Sequence, residues 1–241
     1  MVTAYILERV AREISGEIVW SDDPAECMRK WREIFKATQT EVARRMGVAP
    51  SVINDYEKGR RIPGSKFVKK YVKTLLEMDR ERGWTTVRAL ARNIRLPTEA
   101  VIDIHEFSRS VPLKAIVEAV KGEVLWGERH VEKPIYGYTV LDSIATIISM
   151  SGSEFYNLMG MTAERALVFT NVGTGRSPMV AVRVSPLKPG AVIVYGPKKV
   201  DPLAIVLAEK DNVPLIVSRI ESVELLVHSL RMLGTGATSS S

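Results

Sequence analysis

The chain has 241 residues, of which 46% are apolar, and a formal net charge of +6. That length leaves room for two domains with a core each, and no apolar run approaches the roughly 20 residues of a membrane span. A membrane-spanning class is therefore not expected, and the cytoplasm is the expected location. Cys27 has no second cysteine to bond, and neither it nor His105, His130 and His228 has a neighbour at metal-ligand spacing. No catalytic residue, metal or cofactor follows from the sequence.

The charge is unevenly placed. Residues 25–83 carry 15 Lys and Arg against 8 Asp and Glu, a net of +7, whereas residues 1–24 sum to −3 and residues 84–241 to +2. A positive field confined to one segment points to a polyanionic partner, because each phosphate contact releases counterions.

Residues 4–15 space their apolar positions as a helix, with Gly16 as its stop and residues 17–20 as a short strand. The pattern returns over residues 113–126, where Gly122, Glu123 and Trp126 match Gly16, Glu17 and Trp20. As a repeat, this predicts that the two strands lie side by side. Any amphipathic helix followed by Gly and a strand would look alike.

The segment over residues 29–63 organises the rest. Thr38 and Glu41 form a T-x-x-E capping box, so a helix starts at Gln39, with Val42, Ala43 and Met46 on its apolar face. Gly47 suits a left-handed C-cap, and Pro50 suits the first position of a second helix three residues later. Ile53 and Tyr56 give that helix a buried face and leave Ser51, Asn54 and Asp55 outward, where short polar side chains reach base edges. Lys58, Arg60 and Arg61 follow in a turn suited to a phosphate backbone. Ser65 is expected to cap a further helix, ending at Gly83, whose stripe of Phe67, Val68, Tyr71, Val72, Leu75 and Leu76 completes the core.

This stretch resembles the Cro/CI-type (XRE) helix-turn-helix family in its first-helix Arg, then Thr-Gln, Val-Ala, Gly-Val, Ile and Glu-x-Gly-Arg-x-x-Pro. The resemblance implies that Gln39 and Thr40, opening the second helix, and Pro50, Ser51, Asn54 and Asp55 on the recognition helix meet DNA, with Lys58, Arg60 and Arg61 on phosphates. It also implies a structural ion pair between Arg32 and Glu57. Ala49 departs from the pattern, since the family has a capping Ser or Thr there. Its absence leaves the recognition helix without a side-chain cap worth about 1 kcal/mol.

Residues 84–126 read as a helical connector able to dimerise, broken at Pro97 and Pro112, and residues 127–138 read as a linker. An α/β domain is expected over residues 127–233. Thr139 and Asp142 suggest a capped helix through Met150, and Ser153 a short one ending at Gly160. Strands are expected at residues 166–170, 178–184, 191–195 and 214–218, the first two joined as a hairpin by residues 171–177. Asp201 and Pro202 open a helix that makes a βαβ crossover, a last helix runs from Ser222 to Leu233, and residues 234–241 are expected to be disordered. The fold class is thus α+β: an all-α helix-turn-helix domain over residues 1–83, then an α/β domain with a small mixed sheet.

Two loops of the second domain are candidate ligand sites. Gly173, Gly175, Arg176 and Ser177 combine an open backbone with a cation, and Gly196, Lys198 and Lys199 precede a helix N-terminus. The expected function is a sequence-specific, double-stranded-DNA-binding transcriptional regulator, a homodimer with a small-molecule effector or dimerisation domain. Across most of its length the chain also resembles an archaeal group of such regulators, through SVINDYEKGRR, GYTVLDSI, ERALVFT and GRSPMVAVRV. The alternatives are an enzyme using a nucleotide or cofactor under DNA-domain control, and a coactivator that bridges proteins.

Overall fold

A computed structural model describes residues 2, 4–93, 100–157 and 164–234. The expectations for Pro97, for a helix end at Gly160 and for disorder over residues 235–241 lie outside them. The chain forms two compact units, Met1–Leu96 and Pro97–Ser241.

The first unit is helical: α1 (Ala4–Trp20), α2 (Pro24–Ile34), α3 (Gln39–Met46), α4 (Pro50–Glu57), α5 (Ser65–Glu81) and α6 (Thr85–Asn93). Ile6, Val10, Ile14 and Ile18 recur every fourth residue on α1 and are all buried, so the helix continues through Gly16. The strand expected at residues 17–20 is therefore helix, and the proposed repeat with residues 113–126 fails. Gly16 is exposed with open space around it, so nothing forces a stop there. Asp23 caps α2 by accepting from the Glu26 N–H at 3.0 Å. Helix α5 is capped by Gly64, which supplies no side-chain bond, and Ser65 is its first residue rather than its cap. Its buried Val68, Tyr71, Val72, Leu75 and Leu76 bear out the expected stripe, while Phe67 is half-buried and stacks on Tyr56 at 3.9 Å between ring centroids.

The second unit is a six-stranded mixed sheet with helices. Its elements are β1 (Val101–Pro112), α7 (Leu113–Ala119), β2 (Gly122–Trp126), a 3-10 turn (Glu128–His130), β3 (Pro134–Asp142), α8 (Ser143–Ser149), α9 (Gly152–Asn157), β4 (Arg165–Thr170), α10 (Arg176–Val184), β5 (Ala191–Tyr195), α11 (Pro202–Asp211), β6 (Leu215–Ser218) and α12 (Val223–Gly234). Strand order is β1-β3-β4-β5-β6-β2, with β3 to β6 parallel and both edge strands antiparallel. This is the α+β class and mixed sheet expected, and β5-α11-β6 is the expected crossover.

The segment expected to be a helical connector holds strand β1, whereas α7 and β2 fall where the helix–Gly–strand pattern of residues 113–126 puts them; β1 and β2 form the two edges of the sheet. The supposed linker over residues 127–138 enters β3, whose Ile135 and Tyr138 are fully buried. Gly137 is required inside that strand, since a Cβ there would lie 2.5 Å from the His105 carbonyl oxygen on β1. Residues 178–184 are helix α10, not a strand: Pro178, Met179 and Val182 are its buried side, at helical spacing. Asp142 does cap α8, accepting from the Ala145 N–H at 2.8 Å, but Thr139 belongs to β3. Ser222 accepts from the Leu225 N–H at 3.1 Å at the start of α12, close to the expected boundary.

Candidate nucleic-acid interface

Helices α3 and α4 are set by local chemistry. Thr38 accepts from the Glu41 N–H at 3.2 Å, and Glu41 accepts from the Thr38 N–H at 2.8 Å, which closes the capping box. Gly47 sits at φ +63° as the C-cap of α3. Ala49 has the extended backbone of an N-cap but offers no side-chain acceptor, and Pro50 opens α4. Between α2 and α3, Lys36 adopts φ +51°, and Arg82 from the end of α5 donates to the Phe35 and Lys36 carbonyls at 2.8 and 3.1 Å. Lys70 donates to the Met46 carbonyl at 2.7 Å, giving the end of α3 the cation its dipole favours. Neither clamp has a sequence signature, because Arg82 and Lys70 act from 24 or more residues away.

A buried network locks the two helices to α2. Arg32 donates from Nε and Nη2 to the two oxygens of Glu57 at 2.7 and 2.8 Å, and from Nη1 to the Ala37 carbonyl at 3.0 Å. Gln39 Nε2 donates to the same Glu57 carboxylate at 2.8 Å. The Glu57 side chain is 2% exposed and that of Arg32 is 12% exposed. The hydrogen bond to Glu57 holds Arg32 still more firmly in its charged form. The amide at the start of α3 is thereby fixed to the end of α4.

Around this frame, Thr40, Pro50, Ser51, Lys58, Arg60 and Arg61 are exposed, while Gln39, Asn54 and Asp55 are half-buried. The residues singled out from the sequence thus cluster on α3, α4 and the turn that follows. Asp55, expected to face a base edge, is paired with Arg60 at 3.3 Å and Arg61 at 3.7 Å.

In the second unit, residues 171–175 follow β4 and residues 196–201 follow β5, at the carboxyl ends of parallel strands. The first of these loops opens helix α10, so it joins a strand to a helix and is not the hairpin expected. Thr174 O accepts from the Asp201 N–H at 2.9 Å, and Arg176 Nε donates to Asp201 at 2.8 Å, bringing the two loops together. Gly175 and Gly196 adopt φ +76° and +73°. Asp201 also caps α11 through the Leu203 N–H at 2.9 Å. That bond, followed by Arg176, holds its carboxyl below the ordinary range. The charge of Arg176 is therefore largely matched by Asp201, while Gly173, Ser177, Lys198 and Lys199 are exposed beside it. Among the described residues, no group of three His, Cys, Asp or Glu could hold a metal, and no helix is long and apolar enough to cross a membrane.

A helical unit with this capping box, this three-residue turn and this buried ion pair is a helix-turn-helix module. The family model described as helix-turn-helix matches residues 28–75. An uncharacterized HTH-type transcriptional regulator of Archaeoglobus fulgidus is 46% identical over 219 residues, 90% of this chain and 94% of that protein. One of Methanocaldococcus jannaschii is 46% identical over 225 residues, 91% of this chain and 93% of its own. The chain belongs to this family of HTH-type transcriptional regulators, as its resemblance to the XRE pattern and to the archaeal group implied. A solved structure, the CBS and DRTGG domains of the regulatory region of a Clostridium perfringens pyrophosphatase complexed with diadenosine tetraphosphate, is 19% identical. It covers 49% of this chain and 47% of that one at a TM-score of 0.34, a likeness too slight to carry an argument.

Proposed function

We propose that this regulator reads double-stranded DNA as a homodimer in the cytoplasm, with α4 of each copy in the major groove. The observation that carries the reading is the Arg32–Glu57–Gln39 network, which fixes the start of α3 and the end of α4 in one frame. With that frame rigid, Ser51, Asn54 and Asp55 face base edges, while Gln39, Thr40 and Pro50 lie where the two helix starts approach the duplex. Lys58, Arg60 and Arg61 take phosphates, which supply sequence-independent affinity. One eight-residue recognition helix spans only a few base pairs, so two copies about 34 Å apart on a two-fold site supply the length of sequence a regulator needs.

The second unit, in this reading, binds a small-molecule effector or fixes the dimer, and does no chemistry of its own. Gly173, Gly175, Arg176, Ser177, Gly196, Lys198 and Lys199 surround the carboxyl ends of β4 and β5, where open parallel sheets bind ligands. Binding assays on substituted full-length protein test the interface. Asn54→Ala is expected to lose about 1–3 kcal/mol of discrimination between a selected and a random duplex. Lys58→Ala is expected to weaken both duplexes alike and to lower the salt slope by about 1. Equal losses on both duplexes for both variants would remove the assignment of α4 to base reading.

A further inference from the structure

The outward side of the recognition helix carries a carboxylate, Asp55, which is engaged within the protein. Arg60 Nη1 lies 3.3 Å from its Oδ1, and Arg61 Nε lies 3.7 Å from its Oδ2. The backbone returns the two arginines to this position. Gly59 turns the chain at φ +68°, and the Arg60 N–H donates to the Asp55 carbonyl at 2.9 Å. The cations placed to meet phosphates are therefore the same ones that neutralise the only acid on the reading surface of α4.

These pairs are long, and both arginines are more than half exposed. Exposed pairs of this kind are weak, so a phosphate backbone draws the arginines away. Asp55 then stands as an anion in a groove walled by phosphates. A base edge restores a partner to it only by donating a hydrogen bond, and in the major groove the donors are the amino groups of cytosine N4 and adenine N6. Duplexes that place carbonyl or ring-nitrogen acceptors opposite Asp55 leave the carboxylate repelled and unpartnered.

We propose that Asp55 confers specificity by rejection: its exchange of arginine partners for a base amino group weakens binding to duplexes that lack that group, while adding little affinity to the site that has it. The inference rests on α4 being the base-reading helix. It differs from an ordinary base contact in the sign of its effect on random DNA. It also differs from a role in which Asp55 merely holds Arg60 and Arg61 in place for phosphates, since losing such a brace would weaken every duplex.

The test is fluorescence anisotropy with the full-length chain on a selected duplex and a random-sequence duplex, across salt concentrations. The proteins compared are wild type, Asp55→Asn, the double variant Arg60→Gln/Arg61→Gln, and the triple variant. Asp55→Asn is expected to tighten binding to the random duplex by about tenfold and to change the selected site by less than about threefold, with a steeper salt dependence on random DNA. The gain on random DNA should shrink in the double-variant background, where no arginine remains to be released. Unchanged or weaker random-duplex binding by Asp55→Asn overturns the proposal, and so does an equal gain on both duplexes, which is the effect of net charge alone. If wild type binds neither duplex, the DNA-reading assignment itself falls and the filter falls with it, a failure distinct from the other two.

Discussion

Removing Arg32 is the sharpest test of how the first unit is held together. Glu57 accepts three hydrogen bonds at 2.7–2.8 Å, two of them from Arg32, and its side chain is 2% exposed. In Arg32→Met, the carboxylate keeps only the neutral Gln39 amide in a site that water barely reaches. Breaking a buried pair from one side costs about 3–5 kcal/mol. The retained Gln39 bond and the 12% exposure at Arg32 place the expected loss near the lower end, about 3 kcal/mol. Replacing both partners, as Arg32→Met/Glu57→Leu, removes the stranded charge and should cost clearly less than the single variant, because an apolar pair of similar volume is often neutral. Urea unfolding of the full-length protein, followed by tryptophan fluorescence with Trp31 adjacent to Arg32, reads both. A loss of about 3 kcal/mol lowers the urea midpoint by roughly 1–3 M. A single-variant cost below about 1 kcal/mol, or a double variant as damaged as the single one, would refute the view that a buried, mutually dependent ion pair sets the geometry of α3 and α4.

Two further changes test the local chemistry of the same helices. Ala49 has the backbone conformation of an N-cap, φ −69° and ψ 146°, without the acceptor, so Ala49→Ser should stabilise the protein by about 0.5–1 kcal/mol in the same urea assay; a destabilised variant would mean that the cap site is closed to a hydroxyl. Thr38→Ala should cost about 1 kcal/mol near neutral pH by opening the capping box. The Thr38 N–H, and then its hydroxyl, hold the Glu41 carboxyl below its ordinary value. The stability linked to Glu41 is thus present above the unfolded-state value and lost as the pH falls through the folded one. The acid limb of the stability curve should be shallower in Thr38→Ala than in wild type, and an identical acid limb would contradict the linkage.

What the sequence disclosed was whatever is decided within a few residues. The Thr38–Glu41 box, Gly47, Pro50 and the Asp201–Pro202 start of α11 each announce an element by chemistry that neighbours complete. The misreadings arose where distant packing decides. Residues 17–20 are rich in β-formers, yet Ile18 continues the four-residue stripe of Ile6, Val10 and Ile14, and burial of that stripe outweighs propensity. Residues 178–184 are rich in valine, but a loop leaving β4 must travel to reach parallel β5, and a helix spans that distance. Residues 127–138 read as a linker from their charged and turn residues, because nothing local reveals that the His105 carbonyl lies where a Cβ on Gly137 would be. In the interface, the Arg32–Glu57 pair was accessible through the family pattern. The contacts of Lys70, Arg82 and Gln39 were not, since each joins residues at least 18 apart that only folding brings together.

The central claim, that α3 and α4 present a base-reading surface, is tested most directly by selecting bound sites from random duplex DNA with the full-length protein, then titrating the winner and random DNA across salt. The account predicts an enriched two-fold-symmetric sequence with half-sites about one helical turn apart. It should be bound at least about 10³-fold more tightly than random DNA, with both affinities falling steeply as salt rises. A pool with no enriched sequence, or binding indifferent to salt, would contradict it.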